Sequence, residues 1–212
     1  MYDHEVPRLI DHDERDREIG EAAWRVLVRD GLAAFSVRNV ADEAGIATAS
    51  LRRAYPTQDA LRVACLRRVF EHVQRRLAAL GTARSPDDDP ATFATRCLQE
   101  LLPLDRERRT EAEVWLTLGS LALTDTRVRL VHDEAHGLLR AACQQVVEVL
   151  HGSDSDSHSD SVAAVDADAA RLHALVDGLA LHLVHQPAGD PSDWAVEALA
   201  AEVRRLATGR SA

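Results

Sequence analysis

Apolar residues recur along this chain at helical spacing from near its start to near its end. Ile19, Ala22, Ala23, Val26 and Leu27 mark one face of a first helix, and Gly31 stands where a left-handed residue closes it. Ser36 is suited to cap a short helix carrying Val37, Val40, Ala41 and Ala44, which Gly45 ends; Asn39 at its third position leaves the capping box incomplete. Thr48 is expected to cap the next helix, with Leu51 and Ala54 inward and a stop at Tyr55-Pro56. Thr57 then caps a long helix with two apolar stripes, Leu61, Cys65, Val69, Val73, Leu77 and Leu80 on one, Leu66 and Phe70 on the other.

A charged, proline-bounded break follows at 85–90, with Asp89 as N-cap and Pro90 at the first helical position. Beyond it the periodicity predicts helices over 90–102, 108–123, 125–150, 164–186 and 192–207. The 164–186 helix has little polar face, so it is expected to be covered on opposite sides, one of them by another subunit. Between Gly152 and Ser161 the chain is Ser, Asp and one His, too polar to offset its ordering entropy, and a flexible loop is expected over 152–161. Its Asp154, Asp156, His158 and Asp160 alternate like calcium ligands, but Ser159 replaces the required Gly and Val165 the required Glu.

Composition turns this pattern into an all-α fold: 35 Ala and 27 Leu stand against three Ile, three Phe and two Tyr. The 212 residues allow one large domain or two small ones. No apolar run approaches the roughly 18 residues of a membrane span, so no membrane partner is expected. All 25 basic residues are Arg, which removes phosphate-loop lysines, Schiff-base lysines and Ser-Lys dyads. Cys65, Cys97 and Cys143 form no CxxC pair and read as core residues of a reducing cytoplasm. An acidic N-terminus without a basic and apolar leader agrees with a cytoplasmic location. No cofactor is implied.

The net charge of −10 is unevenly spread. Residues 15–80 hold 12 Arg against 8 acidic residues, while 81–212 hold 12 against 22. A mildly basic segment joined to an acidic one points to two parts with different partners.

Within the basic part, Val40 to Ala54 meets the requirements of a helix-turn-helix. Ala41 is small where helices approach, Gly45 permits the turn, and Val40, Ala44, Ile46, Leu51 and Ala54 fill the angle. Thr48, Ala49, Ser50, Arg52 and Arg53 remain as outward residues able to read a major groove. Ser36, Arg38, Tyr55, Thr57 and Gln58 flank them as candidate phosphate contacts. The run Ser36-Val37-Arg38-Asn39-Val40-Ala41-Asp42-Glu43-Ala44-Gly45-Ile46-Ala47 resembles the signature of the TetR family of transcriptional regulators, and Leu51 to Leu61 resembles the segment that follows it. Arg52 departs from the family's Tyr there, Ala54 from its His or Tyr, Tyr55 from its Phe and Gln58 from its Lys. Glu21-Ala22-Ala23-Trp24 and the run from Ala170 to Leu179 are similar to the branch with a BetI-like C-terminal domain.

The resemblance implies a three-helix DNA-binding domain at 1–56 with its helix-turn-helix at 37–54, a connecting helix at 57–80, and a ligand-binding and dimerisation domain at 81–212. It also implies a homodimer through the last two helices and a small molecule, unidentified here, that releases a palindromic double-stranded DNA operator. Phe70, Trp115, Thr117, His136, Cys143, His173 and Asp177 are the polar or polarisable candidates for the effector pocket. Two rival readings fit the sequence less well. His132 and His136 stand at the i, i+4 spacing of a zinc hydrolase, but Asp133 stands where the catalytic Glu belongs. A helical module that binds protein would favour aromatic and apolar anchors over the Arg, Ser and Gln of 48–58. No enzyme activity and no metal are expected.

Overall fold

The computed structural model describes residues 12–85, 87–152 and 158–208, and among these every regular element is helical. The order is α1 His12–Asp30, a 3-10 turn Leu32–Ala34, α2 Val37–Glu43, α3 Thr48–Ala54, α4 Gln58–Ala83, α5 Pro90–Gln99, α6 Arg106–Ala122, α7 Thr126–His151, α8 His158–His185 and α9 Asp193–Ala207. None of these helices is long and apolar enough to cross a membrane.

Local chemistry accounts for most boundaries. Gly31 ends α1 at φ 79°. Ser36 Oγ accepts from Asn39 N at 3.1 Å, and Thr57 Oγ1 accepts from Ala60 N at 3.0 Å. Asp89 caps α5, with Pro90 in its first turn. Asp105 and Asp125, two caps absent from the sequence reading, start α6 and α7 by accepting from Arg108 N and from Arg127 N and Val128 N.

Three details differ from expectation. Thr48 is the first residue of α3, not its cap: extended Ala47 occupies the cap position and no side chain bonds there. Ala54 is exposed, because α3 ends at that residue and half-buried Tyr55 is the inward group at this end. α8 begins at His158, so the end of the loop expected over 152–161 is already helical; residues 153–157 lie outside the described residues.

The chain divides into two compact units within α4, between Arg68 and Val69. The N-terminal unit closes on Ile19, Leu27, Phe35, Leu51, Leu61 and Leu66, all essentially fully buried. The C-terminal unit closes on a cluster that includes Leu98, Leu102, Cys143, Leu172, Leu183 and Leu199. Helix α8 buries Leu172, Val176, Leu179 and Leu183 against this cluster, while Ala170, Ala174 and Leu181 stay exposed. Among the described residues, one face of α8 is thus covered and the other is not.

One ion cluster is built into the C-terminal unit. Arg76 on α4 donates to both oxygens of Glu111 on α6, at 2.7 and 2.6 Å, and to Glu100 Oε2 after α5, at 2.9 Å. Glu111 is 5 % exposed. Burial opposes the charge of Arg76, yet the two carboxylates outweigh it and raise its pKa. Removing one partner of a buried pair strands the other charge and costs about 3–5 kcal/mol. Arg76→Ala is therefore expected to lower stability by that amount in urea unfolding, and Arg76→Met combined with Glu111→Met to recover most of it. Equal losses in the single and double variants would show that a stranded Glu111 charge is not the source of the loss.

Candidate functional site

Two surfaces carry chemistry, one in each unit. In the N-terminal unit, α2 and α3 meet at Gly45, whose φ of 66° lets the chain turn while Ile46 N donates to Ala41 O at 3.0 Å. Val40, Ala41 and Leu51 are buried at the angle; Ala44 and Ile46 are half-buried. That packing leaves Ala49, Arg52 and Arg53 exposed on α3, with Thr48 and Ser50 half-buried beside them.

The arginines of this unit do not share one fate. Arg25 and Arg29 of α1 both donate to Glu43, at 2.8 and 2.7 Å, and Arg29 also pairs with Asp30. Those hydrogen bonds hold the Glu43 carboxyl below its ordinary pKa. Arg52 and Arg53 have no ion pair among the described residues, and Arg38, whose side chain is 84 % exposed, only approaches Asp42 at 3.9 Å. The free positive charge of the motif is therefore concentrated on and beside α3.

The flanking candidates are more constrained. Gln58 Nε2 donates to Phe35 O at 2.7 Å, and Tyr55 Oη donates to Asp16 Oδ1 at 3.3 Å. Ser36 and Thr57 accept as helix caps, which leaves each hydroxyl proton available to an outside acceptor.

In the C-terminal unit a largely apolar cavity of about 260 Å³ opens among α4, α6, α7 and α8. Phe70 and Trp115 meet edge to face in its wall, with centroids 6.0 Å apart. Its charged groups are Glu100, Arg108, Glu111 and Asp177. Arg76 answers Glu100 and Glu111, and Arg108 pairs with Asp105 and Glu100. Asp177 has histidines instead, with His173 Nε2 at 3.4 Å and His136 Nε2 at 3.9 Å. Burial pushes the His173 pKa below its ordinary value, against the opposing pull of Asp177, and so favours the neutral ring.

Of the seven pocket candidates, Phe70, Trp115 and Asp177 line the cavity and four do not. Thr117 donates to Glu113 O within its own helix. Cys143 is fully buried in the core, where burial and then Asp177 push its thiol pKa up to about 12. His136 and His173 stand beside Asp177, outside the lining. The wall residues Leu101, Leu139 and Val176 went unrecognised because periodicity cannot separate a cavity wall from a core. Glu111, one turn before Trp115 on an otherwise inward face, is the sequence signal for this wall.

The rings of His132 and His136 stay near each other, with centroids 6.1 Å apart at 24°, but each has a closer partner. His132 stacks on Trp115, with centroids 4.4 Å apart at 16°, whereas His136 lies 4.4 Å from the ring of His173.

Residues 19–65 match the family described as bacterial regulatory proteins, tetR family, and residues 90–208 the family described as BetI-type transcriptional repressor, C-terminal. The HTH-type transcriptional regulator PksA of Bacillus subtilis (strain 168) is 33 % identical over 86 % of this chain and 84 % of its own length. A transcriptional regulator from Rhodococcus sp. Rha1 superposes with a TM-score of 0.72 at 26 % identity, over 92 % of this chain and 96 % of that one. The multidrug binding protein EbrR, crystallised with malachite green, superposes with a TM-score of 0.58 at 29 % identity, over 89 % of this chain and 98 % of its own.

The setting of Tyr55 can be checked by titration. Burial, then the Asp16 carboxylate, push its pKa up to about 12 from an ordinary 10.0. The neutral phenol is the form favoured by the fold, so the linked stability is present below pH 10 and is lost as pH rises towards 12. Tyrosinate absorbance should show a late step near pH 12 that Tyr55→Phe removes; titration of Tyr55 near 10 would place its hydroxyl in solvent instead.

Proposed function

The chain belongs to the TetR family of DNA-binding transcriptional regulators, and from that premise we propose that it is a ligand-responsive repressor. It binds a palindromic operator as a homodimer and releases it when a small molecule occupies the cavity of the C-terminal unit. The observation that carries this reading is the pairing of an α3 whose arginines are uncompensated with a mostly apolar cavity of about 260 Å³ bordered by α4, the helix that begins in the DNA-binding unit. Its family is one of regulators, and we assign this member no catalytic step. We place it in the cytoplasm, where its operator is.

On the operator, Ala49, Arg52 and Arg53 read base edges from the exposed side of α3, with Thr48 and Ser50 at its start. Arg38 and the hydroxyls of Ser36 and Thr57 hold phosphates. Tyr55 and Gln58 act mainly by fixing the motif against α1 and Phe35, since their polar groups already have partners there. We assign DNA binding to 1–56, the connection to 57–80 and ligand binding and dimerisation to 81–212, with α4 supplying the connection.

The homodimer is supported by the uncovered face of α8. Ala170, Ala174 and Gly178 succeed one another at four-residue spacing, which allows a second helix to approach closely, and Leu181 and Trp194 are 41 % and 43 % exposed nearby in the sequence of α8 and α9. An obligate dimer of this kind should bury on the order of 2,000 Å² or more. The effector is a mostly apolar molecule with a ring able to pack on Phe70 and Trp115.

A mobility shift with the DNA upstream of the chain's own gene tests the reading. Arg52→Ala should weaken operator binding by about 1–3 kcal/mol and relax preference at one base pair if Arg52 reads a guanine; a uniform loss across sequences with a smaller salt slope would assign it to phosphate. Absence of any sequence-dependent shift would reject the reading. An effector should quench or shift Trp115 emission in a Trp24→Phe, Trp194→Phe background and release the operator by about 5- to 150-fold. By linkage, saturating operator must weaken the effector by the same factor; equal effector affinity with and without operator would exclude this coupling.

A further inference from the structure

Two histidines and a carboxylate converge next to the cavity. His136 comes from α7, and His173 and Asp177 stand one turn apart on α8; one ligand atom of each lies within 4.8 Å of the other two. Asp177 Oδ2 is 3.4 Å from His173 Nε2 and 3.9 Å from His136 Nε2. A tetrahedral ion with bonds of about 2.0–2.2 Å sets its ligand atoms roughly 3.3–3.5 Å apart. The set is therefore close to ligand spacing, and the member that must move, His136, is half-exposed.

A second observation points the same way. His173 is 7 % exposed, and its buried Nε2 has no hydrogen-bond partner among the described residues, the approach to Asp177 lacking hydrogen-bond geometry. A buried ring nitrogen without a partner costs free energy in either tautomer. A cation on its lone pair would satisfy it, and would answer Asp177, the wall carboxylate that pairs with no arginine among the described residues.

We propose that His136, His173 and Asp177 form a site for one divalent transition-metal ion of the zinc type per chain. Two imidazoles and one carboxylate suit such an ion, whereas magnesium and calcium favour all-oxygen sets. Three protein ligands leave a coordination position for water or for a donor atom of a molecule in the cavity, whose wall includes Asp177. The i, i+4 pair His132 and His136 is not the site: His132 stacks on Trp115 and sits so near α6 that a Cβ at Gly119 would meet its Nε2 at 3.2 Å. The other grouping, His72, Glu107 and Glu111, is not one either, because both oxygens of Glu111 accept from Arg76.

This site goes beyond the repressor reading and its test requires neither DNA nor effector. The full chain, made without a polyhistidine tag and stripped with a chelator, is titrated with zinc by calorimetry and with cobalt by visible absorption. One ion per chain is expected, with the absorption bands of cobalt in a four- or five-coordinate site. His136→Ala and Asp177→Asn, both at half-exposed positions, should keep native helicity by circular dichroism and weaken binding at least about tenfold. His132→Ala should stay within about twofold of the parent. No saturable binding, parental affinity in Asp177→Asn, or a loss in His132→Ala as large as in His136→Ala would each overturn the site.

Discussion

The fork of Arg76 is the contact on which the C-terminal unit most depends. Two carboxylates, Glu100 and Glu111, are drawn into an apolar wall, and the Arg76 guanidinium from α4 makes this tolerable by donating to both, with Arg108 also beside Glu100. Desolvated charges of this kind add little net stability over apolar replacements, but they punish any arrangement in which the partners separate. The position of α4 against α6 and the end of α5 is thereby held to one register. An effector that enters beside Glu100 and Glu111 meets carboxylates that are already paired, so what remains for it to exploit is aromatic and aliphatic surface and Asp177.

The N-terminal unit uses the same chemistry for the opposite purpose. Arg25 and Arg29 of α1 are consumed by Glu43 and Asp30 near the surface, where ion pairs stabilise weakly and salt screens them. Their effect is on where positive charge is left. With Arg25 and Arg29 neutralised, Arg38, Arg52 and Arg53 are the cations of the motif free to meet a polyanion. A chain of net charge −10 can therefore present a locally positive face to DNA.

Helix α8 links the three remaining features of the C-terminal unit. Its inner side completes the core, Val176 and Asp177 border the cavity, and its outer side is small and uncovered. Its C-terminal end is held by Arg109 of α6, which donates to the carbonyls of Leu183, Val184 and Gln186. Cations suit that end of a helix, because its last carbonyls lack partners within the helix.

The sequence by itself determined the all-α class, most helix boundaries and the helix-turn-helix, because these rest on local causes: apolar spacing, glycines at 31 and 45, and caps such as Ser36, Thr57 and Asp89. It also carried the family's own pattern, from Ser36 to Ala47 above all. Where the local cause is shared by every short segment, it misled by a residue, as at Thr48, or by a turn, as at His158. Tertiary structure alone decided which polar residues meet. Arg76 and Glu111 are 35 positions apart, and nothing in either segment names the other. Likewise, periodicity put His132 and His136 on one face, but packing sent the first to Trp115 and the second to His173 and Asp177. Pairing across helices depends on crossing geometry and side-chain volume, which no single segment encodes.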